Sequence, residues 1–170
     1  MKKILTVLVA LAMVLSAFGM TAMAEETHKI GILAPATTHG WVGGVTYFAQ
    51  QAADESGVDY TLLTSSNADE MSSQIEQLMQ QGVEAIVVWP QFTGVETAAE
   101  MALEQGILIY NFDLIIDVDE KYADNMYVLT GDNYGIGVEG AKYIVDKIGT
   151  EGLVVTMPVP SSGSVSELRM

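Results

Sequence analysis

From Lys29 onward, short apolar runs alternate with segments whose apolar residues recur at helical spacing, at intervals of roughly 25 residues. The runs Lys29 to Ala34, Tyr60 to Thr64, Ala85 to Trp89 and Ile107 to Phe112 are rich in Ile, Val, Leu or Tyr, as strands buried on both faces require. Between them, Val45, Phe48, Ala49 and Ala52 share one predicted helical face. Met71, Ile75, Leu78 and Met79 share a second, and Val95, Ala98, Ala99, Ala102 and Leu103 a third. Thr93 and Glu96 have the spacing of a capping box, and Asn67 with Glu70 is a close variant. Gly57, Gly82 and Gly106 each follow a helical segment, where they can take the left-handed conformation that turns the chain back. Parallel strands need such right-handed crossovers, so the pattern predicts an α/β fold with a doubly wound parallel sheet. The methionines of these helices read as core filling.

The rhythm changes at residue 113. Asp113 to Asn125 reads as an irregular, largely polar connection, and Met126 to Thr130 as a further strand broken by Gly131-Asp132-Asn133. A helix is expected from about Tyr134 to Ile148, and a strand from Leu153 to Thr156 that gives way to Met157-Pro158-Val159-Pro160. Ser164 to Arg169 reads as the first turn of another helix, after which the sequence stops. The expected organisation is a first lobe over residues 25–131 and the truncated beginning of a second over residues 132–170.

The first 24 residues look like an export signal. Lys2 and Lys3 are a positive start, Ile4 to Leu15 is an apolar run interrupted by Thr6, and Ala22-Met23-Ala24 is the small-x-small pattern that a signal peptidase reads. A membrane anchor is the plainer alternative, but the run is interrupted and ends in a cleavage-like site. No cysteine follows, so a thioether-linked lipid is excluded, and a chain without cysteine forms no disulfide. The expected location is the periplasm or cell exterior, without stable membrane insertion after cleavage. With 22 acidic against 7 basic residues the formal charge is −15, which repels phosphate backbones and argues against nucleic acid. The one dense acidic cluster, Asp117-Val118-Asp119-Glu120, lacks the alternating ligands and glycine of a calcium loop and reads as a solvated loop.

In an open parallel sheet, ligands bind beyond the carboxyl ends of the strands. The residues expected there are His39 and Trp41 after the first strand, Trp89 at the third, Asn111 and Asp113 at the fourth, and Pro158 to Ser164 after the last, with Arg169 beyond. Each has a plainer reading: the tryptophans as core or rim aromatics, His39 as a solvent-facing residue, Asp113 as a turn former. Their concentration on one edge favours a site. Aromatic planes can cover the apolar faces of a sugar ring while a carboxylate and an arginine bond its hydroxyl rim. No lysine or glycine-rich phosphate loop lies at these tips, so a neutral polyol fits better than a phosphate.

Gly135-Ile136-Gly137-Val138-Glu139-Gly140 matches a dinucleotide fingerprint, but Asp132, Asn133 and Tyr134 separate it from the strand, and the next strand tip carries no carboxylate. The glycines read instead as permitting close helix–sheet packing. There is no nucleophile elbow, and cysteine catalysis is impossible. His28 and His39 lie beyond opposite ends of the first strand, roughly 20 Å apart, too far to share a metal. No catalytic residue, cofactor or metal is expected.

Several segments together carry a resemblance: Lys29-Ile30-Gly31-Ile32-Leu33-Ala34, His39-Gly40-Trp41-Val42, Ser73 to Leu78, Gln81 to Val88, Asn111-Phe112-Asp113, Gly131-Asp132-Asn133-Tyr134, and Ser161-Ser162-Gly163 through Arg169. In order and spacing the chain resembles the periplasmic sugar-binding proteins of type I, the ribose-binding-protein-like solute receptors of ABC transporters, over essentially all of residues 28–170. The resemblance implies two lobes joined by hinge strands that close on the ligand, with Gly131-Asp132-Asn133 at the first hinge crossing. It places His39 where many relatives have an asparagine that bonds sugar hydroxyls. Trp41 and Val42 fall at an aromatic stacking pair, so one plane is missing, and Trp89 on the same rim is expected to restore aromatic surface. Asp113 matches the sugar-binding aspartate, Leu114 replaces an arginine often beside it, and Arg169 matches an arginine of the second lobe.

The expected function is therefore non-enzymatic capture of a sugar or sugar-like solute by a monomeric receptor that delivers it to an ABC permease. A sensor that presents its ligand to a chemoreceptor or histidine kinase is the related alternative; an exported α/β enzyme, which turnover of a sugar would reveal, is the alternative from another class. A transcriptional regulator is disfavoured, because an export signal stands where a DNA-binding headpiece would be. Residues 25–170 are expected to bind weakly or not at all, much of the enclosing surface being absent; micromolar binding by calorimetry would contradict this.

Overall fold

A computed structural model describes residues 28–36, 40–160 and 163–170. The export-like segment, Thr37 to His39 and Ser161-Ser162 lie outside the described residues. In chain order the elements are β1 (Lys29–Pro35), α1 (Gly40–Ser56), β2 (Asp59–Ser65), α2 (Ala68–Gln80), β3 (Ala85–Val88), α3 (Glu96–Glu104), β4 (Leu108–Phe112), a 3-10 turn (Glu120–Tyr122), β5 (Met126–Leu129), α4 (Asn133–Ile148) and α5 (Gly163–Glu167). The strands form one parallel sheet in the order β2-β1-β3-β4-β5. Strand order reverses at β1, and the crevice that this leaves at the carboxyl edge is where the fold accepts ligands.

The alternation of side chains along the strands divides the two faces. Leu33, Ile86, Val88 and Ile109 join Met71, Ile75 and Leu78 of α2 and Ala98, Ala99, Ala102 and Leu103 of α3 in the main core. On the other face α1 lies against β1 and β2, with Val42 and Ala53 buried. Gly57, Gly82 and Gly106 have φ of 70°, 70° and 80°, the left-handed values that their places after α1, α2 and α3 predict. At Gly31, by contrast, space decides: a Cβ there would run into the fully buried Leu78 side chain. Overpacking of this kind costs about 1–3 kcal/mol. Gly31→Ala is therefore expected to lower the urea midpoint without changing the denaturant slope, the sign of lost stability in an unchanged fold.

Several local expectations change. On α1, Phe48 and Ala52 are exposed, and the buried positions are Val42 and Ala53, one turn or less away from the face that apolar spacing selected. Position 42 is buried because α1 begins at Gly40, so this residue is already helical. Asn67 does cap α2, its Oδ1 accepting from Glu70 N at 2.9 Å, while Glu70 Oε2 accepts from Ser66 N at 2.7 Å. Thr93 and Glu96 form no capping box. Helix α3 starts two residues later than that spacing needs, with Val95 at its cap, and Glu96 Oε1 accepts from Gly94 N at 3.2 Å. Leu153 to Thr156 forms no strand, and Leu153 is 90% exposed; a strand exists only through a neighbour's ladder, and none is paired to it. The glycines of α4 do not pack on the sheet: a Cβ at Gly137 would strike the Arg169 backbone, and one at Gly140 would meet nothing.

The connection after β4 is fastened to α3. Asp119 N donates to Glu100 Oε1 at 3.0 Å, and the Tyr122 hydroxyl donates to Glu104 Oε1 at 2.6 Å. The Glu104 carboxylate raises the Tyr122 phenol above its ordinary pKa. A raised folded-state value means that this contribution is complete below the free phenol's pKa of about 10 and is lost as pH climbs through the folded value. Alkaline unfolding should accordingly begin at lower pH in Glu104→Gln, as followed by circular dichroism.

Candidate functional site

The site is built around one turn. β4 ends at Phe112, and Asp113 leaves the strand with φ 69°, the only non-glycine residue described in the left-handed region. An aspartate tolerates that conformation better than most residues, and one held there is a recognised sign of a functional constraint. Its flanks are fixed. Asp113 N donates to Leu129 O at 2.9 Å, and its carbonyl accepts from Thr130 Oγ1 at 3.2 Å. Just before it, the fully buried Asn111 spends its amide on backbone: Nδ2 donates to Leu114 O at 2.9 Å, and Oδ1 accepts from Ile116 N at 3.0 Å. Leu114 and Ile116 are thereby drawn inward, and Asp113 is left at the apex.

Trp89 completes the turn. It follows β3, its backbone N–H donates to Leu33 O at 2.9 Å, and its ring is stacked on Phe112 with centroids 5.5 Å apart. Its indole Nε1–H donates to Asp113 Oδ2 at 3.0 Å, a charge-assisted bond if the carboxylate is ionised. Trp41, in the first turn of α1, is 71% exposed and offers its ring to the same space. Trp41, Trp89, Phe112, Asp113, Leu129, Thr130 and Gly131 line an open cleft of about 250 Å³, slightly below the range of about 300–1,000 Å³ usual for small-molecule pockets.

Three of the residues singled out from sequence therefore meet: Trp41, Trp89 and Asp113. Trp89 differs from expectation in kind. It is 1% exposed, so it forms the floor and holds the carboxylate instead of presenting a face to a ring. Asn111 and Val42 are fully buried and do not line the cleft; the first is saturated by backbone, and the second lies on the buried side of α1. His39 lies outside the described residues. Arg169 stands apart from the cleft, with Nε donating to Asn133 Oδ1 at 2.8 Å. The Asn133 amide in turn donates to Oγ1 of the lining residue Thr130 at 3.5 Å, so Arg169 reaches the rim through one intermediary. It lines a separate, larger hollow of about 340 Å³ with Met157, Val159 and Ser166. Sequence reasoning missed Phe112, Leu129, Thr130 and Gly131 as lining residues. The signal was available: Phe112 is the last residue of a strand, and the parallel register that pairs it with Leu129 carries both to the same edge.

An open doubly wound sheet with a cleft at its carboxyl edge is the arrangement in which α/β folds accept small ligands. Residues 30–169 match the model of the periplasmic binding protein domain, and the chain belongs to that family. It is 29% identical over 117 residues to the D-allose-binding periplasmic protein of Escherichia coli K12, across 65% of this chain and 38% of that one. Its fold is that of the type I periplasmic binding proteins. It superposes with a TM-score of 0.68 and 20% identity on an ABC transporter periplasmic solute-binding protein from Actinobacillus succinogenes with bound D-allose, covering 84% of this chain and 52% of that one. A protein from Mycobacterium smegmatis in complex with β-D-fucofuranose gives 0.71 at 19% identity, covering 84% and 49%. The chain thus spans about half the length of these solved structures, and less of the curated relative.

Proposed function

We propose that this chain carries the first ligand-gathering lobe of a periplasmic sugar receptor that serves an ABC transporter. The lobe runs over residues 25–131, the chain crosses at 131–133, and residues 132–170 open a second lobe. A sugar sits on the Trp41 ring, its apolar face covered, with a hydroxyl donating to Asp113 and another exchanging bonds with Thr130. Capture and release require no covalent chemistry, and the bound sugar is handed to a membrane permease. The observation that carries this reading is the pinned carboxylate: Asp113, held by Trp89 at 3.0 Å in a cleft otherwise lined by three aromatic residues, Leu129, Thr130 and Gly131. Binding of D-allose by the curated relative, as its name states, and the sugars bound in two structural neighbours support it.

The test uses the two tryptophans. D-Allose, D-glucose and D-fucose are titrated into the chain while tryptophan emission is followed, in the wild type and in Trp41→Phe. Because the cleft is already formed within this chain, weak but saturable binding, with a Kd above the micromolar range, is expected for at least one sugar, carried mainly by Trp41. Stacking on an aromatic plane contributes about 0.5–1.5 kcal/mol, so Trp41→Ala should weaken that sugar about 3- to 10-fold. Absence of any saturable response from all three sugars would remove the reading.

A further inference from the structure

The contact between Trp89 and Asp113 does more than steady a side chain. A carboxylate has two oxygens, and a free one can grip two neighbouring hydroxyls of a sugar at once. Here Oδ2 already accepts from the Trp89 indole N–H at 3.0 Å. That indole is 1% exposed and is stacked on Phe112, so the side of the carboxylate it occupies is filled by protein and closed to a second donor. Among the described residues no donor reaches Oδ1, and Asp113 lines the cleft. The backbone that carries the carboxylate is itself fixed: φ is 69°, and the residue is tied through its N–H to Leu129 and through its carbonyl to Thr130.

We propose that Trp89 is a positioning residue that sets specificity: it takes up one oxygen of Asp113, so that this lobe recognises a single sugar hydroxyl through the other and does not select for a vicinal diol. The inference rests on the sugar-binding reading above. Removing the indole N–H while keeping an aromatic ring opens the second oxygen. Trp89→Phe then changes which sugars are distinguished, beyond any change in how tightly they bind.

The experiment is an NMR titration of the isotope-labelled chain with D-allose and its single-deoxy analogues, in the wild type, Trp89→Phe and Asp113→Asn. In the wild type, one deoxy position is expected to cost about 10-fold in affinity, the effect of losing one hydrogen bond to a charged group, and that cost should disappear in Asp113→Asn. In Trp89→Phe a second, adjacent deoxy position should acquire a comparable penalty. A purely structural role for Trp89 would weaken all the sugars alike and leave their ratios unmoved. That outcome overturns the proposal, as does a wild type in which two adjacent hydroxyls are already coupled to Asp113. Should Trp89→Phe lose its dispersed spectrum, Trp89→His, which retains a ring N–H donor, is compared instead, and deoxy ratios unlike the wild type's count against the proposal. If D-allose and every analogue leave the wild-type spectrum unchanged, the sugar reading fails and takes this proposal with it; sugar binding with the wrong hydroxyl pattern fails the proposal alone.

Discussion

Asp113→Asn is expected to weaken sugar binding by roughly 10- to 100-fold, the 1.5–3 kcal/mol that a hydrogen bond to a charged group contributes, while the lobe remains folded. The substitution is close to isosteric, and asparagine is among the few residues that accept a left-handed backbone, so the 69° φ at this position is preserved. The side-chain carbonyl can still accept from Trp89. What changes is the charge offered to the ligand, so the loss should appear in affinity and not in the melting profile. Asp113→Val makes the converse case. A β-branched residue forced to positive φ is strained, and this variant should lose stability as well as binding. Calorimetric titration beside thermal melts of the two variants separates the effects.

Asn111→Leu is expected to produce the largest loss of stability among substitutions near the site, about 3 kcal/mol or more, because buried backbone groups are left without partners. The Asn111 amide now serves the Leu114 carbonyl and the Ile116 N–H, and no water reaches a fully buried side chain to replace it. Leucine fills the volume and satisfies neither. The turn that holds Asp113 at its apex should loosen with it, so binding falls together with stability. Urea unfolding of the variant measures the first effect, and a sugar titration well below the unfolding midpoint measures the second.

These two residues mark how far the sequence could be read. The strands were legible as continuous apolar runs, although the burial on both faces expected of them is approached only in β1: Leu108 and Tyr110 of β4 and Tyr127 to Leu129 of β5 are exposed. The glycines after α1, α2 and α3 announced the turns that their positive φ values now require. The gathering of Trp41, Trp89 and Asp113 at one edge followed from sheet topology alone. Their division of labour did not. A tryptophan at a strand tip reads as a platform for a ring; only the stack on Phe112 and the bond to Asp113 turn Trp89 into the floor. Asn111 lay two positions from Asp113 and read as a second ligand-binding group, whereas strand alternation points it into the core beside Val88 and Ile109. The strand expected over Leu153 to Thr156 had the right composition, but pairing is a property of two segments, and composition reports on one.

The central claim is that a sugar occupies the cleft between Trp41 and Asp113. Mapping D-allose onto the isotope-labelled chain by NMR tests it most directly. The account predicts that shifts concentrate on the indole resonances of Trp41 and Trp89 and on the amides of Asp113, Thr130 and Gly131. Shifts confined to the hollow of Met157, Val159, Ser166 and Arg169, with the cleft resonances unmoved at saturation, would contradict it.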